Sequence, residues 1–200
     1  ADPHCSSALR PQGDALASWA FADHFEVVSH EDVPAVSLSE ILKLNAIDSL
    51  DWIKLDTQGT DLRLLASLPE AIWARSAVIQ MEPGIMDAYV GEDKLHDVLR
   101  FFDGRDYFVS DLDVRGTQRF DAVAWKRQPW FVRRWPNRVL RPAAGWAEVT
   151  FLRSFADPTE PDPRDLLWAW VCSVTFGQGG HALFLARLGG DAFHDPLFSR

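Results

Sequence analysis

The sequence predicts an α/β protein in which short buried strands alternate with helices. An apolar strand at residues 52–56 is followed by a glycine turn and an amphipathic helix. A second apolar strand at 77–81 follows, and a helix at 93–102 then leads into a third strand at 107–112. Because alternating strands and helices produce a parallel sheet, we expect helices on both of its faces.

The sheet is predicted to finish with an antiparallel hairpin. Residues 119–125 have the composition of a fourth strand, and only residues 113–118 separate it from the third. Six residues cannot hold a crossover helix, so these two strands must run antiparallel, with Arg115-Gly116 as the turn.

Several helix starts are marked by their capping residues. Ser37 and Glu40 form a capping box, which predicts a helix over residues 38–45. Thr60 is expected to cap the helix that follows the glycine turn, through its side chain. Asp162 precedes a proline and predicts another helix start, with a break at residues 177–180 and a returning helix after it.

Composition excludes several classes of function. The chain has 200 residues with 47% hydrophobic side chains, enough for a folded core, and its net charge of −9 argues against general nucleic-acid binding. Cys5 and Cys172 form neither a zinc pattern nor a disulfide framework. The six histidines lack metal-ligand spacing, so no metal site is predicted. The apolar run at 166–176 is too short to span a bilayer, and with no secretory signal we expect a cytoplasmic protein.

The chain is predicted to divide into residues 1–126, which carry the sheet, and a linker and helical tail at 127–200. Residues 125–146, which we call the basic aromatic segment, contain six Lys or Arg and no Asp or Glu. The segment could bind an anionic membrane surface, a nucleic-acid strand or another anionic partner. The favoured interpretation is that its aromatic side chains pack and its cations pair with the acidic body.

Asp56 and Glu82 are the sharpest candidates for chemistry. Each ends a predicted parallel strand, and the two strands are joined by one helix. If these strands are neighbours, the carboxylates lie about 5 Å apart in the crevice where α/β proteins bind ligands. A carboxylate there can remove a proton or position a substrate. The alternatives are that Asp56 caps the turn and that Glu82 forms a salt bridge at the rim.

Three neighbouring residues are expected to support the site. Lys54 interrupts an apolar strand, so it either lies at an edge or pairs with a site carboxylate. Gly59 is expected to have a positive φ angle or a close backbone contact. Asp61 lies in the first turn of the next helix, where a negative charge favours the helix dipole.

The sequence from Lys54 to Asp61, Lys-Leu-Asp-Thr-Gln-Gly-Thr-Asp, resembles the central motif of the FkbM family of S-adenosylmethionine-dependent methyltransferases. The family usually has Glu at the position of Asp61. The resemblance extends over residues 1–126. Further matching segments are residues 3–9, 33–42, 77–82 and 120–123.

The resemblance implies the C-terminal part of a class I methyltransferase (Rossmann-like) sheet and S-adenosylmethionine as cofactor. It implies methyl transfer to a hydroxyl oxygen of a sugar, glycan or secondary metabolite, with Asp56 and then Glu82 as catalytic or positioning residues. It also implies that Ser6 and Ser7 lie in a loop near the cofactor.

The family's glycine-rich cofactor loop is not found in the sequence, so cofactor-binding residues are not assigned. The chain is therefore expected to be partial, inactive by itself and poorly stable, because the strand ending at Asp56 would expose an edge. One alternative is a non-catalytic interaction module derived from a methyltransferase half-domain. A nucleotide binder of other chemistry is weaker, because it ignores the match from Lys54 to Asp61.

Overall fold

A computed structural model of the protein describes residues 2–156 and 161–194. Its sheet has the strand order β1-β2-β4-β3. β1 and β2 are parallel, whereas β4 runs antiparallel to both β2 and β3. The protein is therefore α/β with a mixed, open sheet. The strands are β1 (Trp52–Lys54), β2 (Val78–Met81), β3 (Tyr107–Thr117) and β4 (Ala143–Arg153).

The helices lie before, between and after these strands. They are α1 (Gly13–Leu16), α2 (Leu38–Leu44), α3 (Asp61–Ala66), α4 (Glu70–Trp73), α5 (Leu95–Phe102), α6 (Ala122–Lys126), α7 (Trp130–Arg134), α8 (Pro136–Val139), α9 (Pro163–Thr175) and α10 (Gly179–Phe193).

The predicted fourth strand at residues 119–125 is wrong. Residues 122–126 form α6, because the Asp121 side chain accepts a hydrogen bond from the backbone N–H of Ala124 at 2.8 Å and caps the helix. The predicted turn at Arg115-Gly116 is also wrong, since β3 continues through it with only a register shift. An antiparallel pair does end the sheet, but the partner of β3 is β4.

β4 occupies the middle of the sheet, although it lies within the predicted tail. Val149, Phe151 and Leu152 are almost completely buried, as expected for a strand with a neighbour on each side. In register, Phe151 pairs with Ile79 of β2. The division of the chain at residue 126 stays a prediction about domains, but the sheet itself includes strands from both sides of that position.

Helices cover both faces of the sheet, as the sequence predicts. On one face, the ring of Phe102 in α5 stacks on Phe151 with 3.9 Å between centroids. On the other face, α9 and α10 pack their buried leucines against Val78 and Leu152. The predicted helical appendage is therefore one layer of the core.

A buried carboxylate fastens α9 to the sheet. Asp165 Oδ2 accepts hydrogen bonds from Arg75 Nε at 2.9 Å and from Arg153 Nη1 at 3.1 Å. Because the Asp165 carboxylate is buried, removing either arginine would leave its negative charge less well paired.

Two predicted caps are confirmed and one is wrong. Ser37 Oγ accepts from the backbone N–H of Glu40, and the Asp162 side chain caps α9. Thr60 precedes α3 but makes no capping bond, because its hydroxyl donates to Thr57 Oγ1 at 2.7 Å.

The packing interpretation of the basic aromatic segment is wrong for most of its side chains. Val132 is buried, but the Trp130 side chain is 67% exposed, and Phe131 and Trp135 are also exposed. In the part of the chain that the structure describes, none of the six cations of this segment forms an ion pair.

Candidate functional site

Asp61 links the carboxyl ends of β1 and β2. Its side chain is almost completely buried. One oxygen, Oδ1, accepts from the backbone N–H of Thr57 at 2.8 Å and from the Thr57 hydroxyl at 2.6 Å. The other, Oδ2, accepts from the backbone N–H of Glu82 at 2.8 Å. Asp61 does lie in the first turn of α3, but this bridge between strand ends is a role that its position in the sequence does not indicate.

Gly59 has the predicted positive φ angle, +104°. A Cβ atom there would lie 2.8 Å from Cβ of Glu92 and 3.2 Å from Cδ1 of Leu9, closer than packed carbons approach. The Gly59 carbonyl also accepts from the backbone N–H of Asp93 at 2.8 Å. The glycine therefore meets both predicted requirements, a special φ angle and a close backbone contact.

The structure brings Asp56 and Glu82 to one cavity. They follow neighbouring parallel strands, and both line an open cavity of about 640 Å³. Asp56 Oδ1 accepts from Gln58 Nε2 at 3.0 Å, which is a side-chain contact and not a turn cap. Within residues 2–156 and 161–194 neither carboxylate forms an ion pair, so the proposed rim salt bridge of Glu82 is wrong.

The environment of Glu82 raises the pKa of its carboxyl group. Burial raises the pKa of this carboxyl group, and the negative charges of Asp56 and Glu148 raise it further. The positive charge of Lys54 acts in the opposite direction. Lys54 is exposed on β1, the edge strand of the sheet, which agrees with the edge interpretation of this residue.

The aromatic walls of the cavity come from segments far apart in the sequence. Phe25 packs edge-on against Tyr89 at 5.5 Å between centroids, and Phe21 packs against Trp146 at 6.1 Å. These residues were not predicted, because no local pattern marks rings that meet only in the folded chain. A signal for Trp146 was its position just before the apolar run of β4.

The N-terminal residues close one side of the cavity. The Ser7 hydroxyl donates to the Gln58 carbonyl at 2.7 Å and accepts from the backbone N–H of Leu9. Ser6 lines the cavity. The Tyr89 hydroxyl donates to the Cys5 carbonyl at 2.7 Å, and burial raises the pKa of this phenol. The two serines thus lie beside the loop that contains Gln58, and their expected place near the cofactor stays a prediction.

Two further glutamates border the cavity, and neither was predicted from the sequence. Glu92 is almost fully buried, and its Oε1 accepts from Lys94 Nζ at 2.6 Å and from the backbone N–H of Ala88 at 2.8 Å. Glu148 of β4 pairs with Arg115 at 3.5 Å. Carboxylates beside aromatic rings suit a ligand that carries positive charge or hydroxyl donors.

Among residues 2–156 and 161–194, no three His, Cys, Asp or Glu side chains are arranged to hold a metal ion. The helices in these same ranges are all too short or too polar to cross a membrane.

The N-terminal part of the chain is similar to a known protein family. The family model described as Methyltransferase FkbM domain matches residues 2–109. This range contains β1, β2, the loop around Gly59 and the cavity residues as far as Glu92. Neither the curated proteins nor the solved structures gave a match.

Proposed function

Because the chain belongs to the methyltransferase FkbM domain family, we propose that it serves in methyl transfer from S-adenosylmethionine to a hydroxyl oxygen of a sugar, glycan or secondary metabolite. The observation that carries this proposal is the meeting of Asp56 and Glu82 at neighbouring strand ends, in one cavity with aromatic walls. In open α/β sheets this edge is where ligands bind.

The residues present fit the charged end of the cofactor. S-adenosylmethionine supplies a methyl group on a positively charged sulfur. The carboxylates of Asp56 and Glu82 and the rings of Tyr89 and Trp146 are groups that attract a cation. The Gly-x-Gly at residues 177–179 lies between α9 and α10 instead of following a strand, so no residues are assigned to the adenosyl part.

The two carboxylates are proposed to have different roles toward the molecule that receives the methyl group. Methyl transfer to a hydroxyl requires that its proton be removed and that its oxygen be aligned. A carboxyl group with a raised pKa is a stronger base, so we assign proton removal to Glu82. The Asp56 side chain is hydrogen-bonded to Gln58. It accepts a hydrogen bond from a hydroxyl group of the molecule that receives the methyl group, and so orients that molecule.

A methyl-transfer assay tests this proposal. The chain is incubated with S-adenosylmethionine that carries a labelled methyl group, together with sugars, glycans and hydroxylated metabolites. Label recovered in an ether of one acceptor supports the proposal. Label recovered on nitrogen or carbon contradicts the hydroxyl acceptor, while leaving methyl transfer itself supported.

Calorimetric titration of S-adenosylmethionine into the same chain distinguishes the remaining outcomes. Micromolar binding supports a cofactor site in this chain. Absence of both binding and transfer would agree with the prediction that these residues alone are inactive.

Variants at the two carboxylates complete the test. Asp56→Asn and Glu82→Gln are each expected to slow transfer by about a hundredfold or more, the usual contribution of a positioned acid or base. Asp111→Asn, on β3 and outside the cavity lining, is the matched control and should leave turnover unchanged. Unchanged turnover in both cavity variants would remove these residues from the mechanism.

A further inference from the structure

The basic aromatic segment folds into short helices that present apolar side chains to solvent. α7 and α8 are joined at Trp135, and α6 precedes them. Trp130, Phe131 and Trp135 are 67%, 45% and 44% exposed, and Val139 is exposed beside them. The rings of Trp130 and Trp135 lie 5.8 Å apart, so they form one patch. A cluster of exposed aromatic side chains marks an interaction surface more often than isolated apolar residues do.

The cations of the segment belong to the same short stretch of chain as this patch, and no ion pair neutralises them in the described part of the protein. Arg134 lies over the Trp135 ring at 5.9 Å. The side chains of the other five form no ion pair or hydrogen bond within residues 2–156 and 161–194. They are Lys126, Arg127, Arg133, Arg138 and Arg141. The segment carries a charge of +6, and the rest of the chain therefore carries −15, from the net charge of −9.

One residue of α7 anchors the segment to the protein. Val132 of α7 is buried, while its neighbours Phe131 and Arg133 are exposed. Pro136 begins α8 and sets its direction. The segment is therefore a folded surface that exposes aromatic side chains together with positive charge.

We propose that this surface docks the protein on an anionic lipid membrane. Tryptophan side chains favour the interface between water and lipid, and clustered Lys and Arg are attracted to anionic headgroups. Val139 and Val123, also exposed, can enter the acyl boundary but cannot stack on nucleic-acid bases. A membrane contacts only one side of the molecule, so the acidic remainder can face away from the lipid.

Vesicle sedimentation of the full chain tests the proposal. The probes are vesicles of phosphatidylcholine alone and vesicles of equal parts phosphatidylcholine and phosphatidylserine. We expect binding to the mixed vesicles, weakened by salt, and little binding to phosphatidylcholine alone. Equal binding to both compositions, or no binding to either, overturns the proposal.

Matched variants locate the contact. Arg133→Gln combined with Arg138→Gln should reduce partitioning by about 25-fold, since each cation near the surface contributes about fivefold. Its control is Arg100→Gln combined with Arg187→Gln, which removes two exposed arginines elsewhere. Loss of binding in the control, or retention in the first variant, would contradict the proposed location.

The aromatic contribution is tested in the same way. Trp130→Ala should reduce partitioning by about tenfold or more, because a large apolar side chain no longer enters the interface. Trp168→Ala, at an exposed position in α9, is the matched control. A single-stranded oligonucleotide bound more tightly than the mixed vesicles would identify the surface as a nucleic-acid site and overturn the lipid assignment. Circular dichroism verifies that each variant is folded.

Discussion

The buried carboxylate of Asp61 accepts a hydrogen bond from the backbone N–H of Glu82 at 2.8 Å. Its other oxygen accepts from the backbone N–H of Thr57. One side chain therefore fixes the loops that follow two neighbouring strands, and with them the separation of Asp56 and Glu82. Hydrogen bonds to a charged acceptor are among the stronger ones in proteins.

Asp61→Asn is expected to destabilise the protein by about 2–4 kcal/mol. An amide has only one acceptor oxygen, so its NH₂ group would face a backbone N–H and leave a buried donor unpaired. Urea unfolding measures the change. Asp97→Asn, in the first turn of α5 and partly exposed, is the control and should cost less than about 0.5 kcal/mol. Equal losses in both variants would reduce Asp61 to a helix-dipole role.

Gly59→Ala is expected to destabilise more than Gly104→Ala, although both glycines have positive φ angles. Gly104 has no atom within 4 Å of a built Cβ, so its substitution reports backbone strain alone, about 1 kcal/mol. At Gly59 the new methyl group also collides with Glu92, which adds about 1–3 kcal/mol. Thermal unfolding compares the two, and similar losses would show that the loop moves to relieve the collision.

Glu82→Gln is expected to change how stability depends on pH. The folded state raises the pKa of Glu82, so the folded protein holds this proton more tightly than the unfolded chain does. Stability therefore falls as pH rises from the ordinary glutamate pKa through the raised value. The glutamine side chain does not ionise, so the variant does not lose stability in this pH range. Its free energy of unfolding should therefore exceed that of the native protein at neutral pH, and the difference should vanish in acid.

Urea unfolding at a series of pH values checks this, with Glu31→Gln as a control at an exposed glutamate. If Glu82 also removes the proton of the hydroxyl that receives the methyl group, the methyl-transfer rate of the native protein should rise as pH increases from acid. This rise should be absent in Glu82→Gln. A difference in stability that grows in acid would show that the folded state stabilises the charged form of Glu82.

Tyr89→Phe is expected to loosen the N-terminal wall of the cavity. The variant loses the hydrogen bond to the Cys5 carbonyl, at a cost of about 1 kcal/mol. Amide hydrogen exchange over residues 2–9 should become faster, while the sheet keeps its protection. Tyr107→Phe removes a buried hydroxyl near the Trp73 and Ser76 carbonyls, away from the cavity, and serves as control. Faster exchange of residues 2–9 in the control as well would mean that the effect is global.

The order of elements around the site could be predicted because the signals are local. The apolar strand, the polar residue at its end and the glycine turn lie within one short stretch, and capping of α2 and α9 depends on neighbours along the chain. The motif from Lys54 to Asp61 also carried the family resemblance, which the match over residues 2–109 confirms.

The partner of β3 could not be predicted in this way. Residues 119–125 and 143–153 both contain apolar residues, and the choice between them depends on contacts with β2, which lies far away in the sequence. Asp121 caps a helix in the first segment, whereas Val149 to Leu152 form a run that can be buried on both faces. The apolar run does indicate a strand, but the position of that strand between β2 and β3 follows only from long-range pairing.

The sequence alone determined the α/β class, the family and the meeting of Asp56 and Glu82 at one edge of the sheet, because strand, turn and helix preferences act between near neighbours. Tertiary structure decided the rest: the bridge from Asp61 to Glu82, the aromatic walls, the central place of β4 and the exposed face of the basic aromatic segment. Each of these depends on which distant surfaces pack together, and that is settled by the burial of the whole chain and not by any one stretch of it.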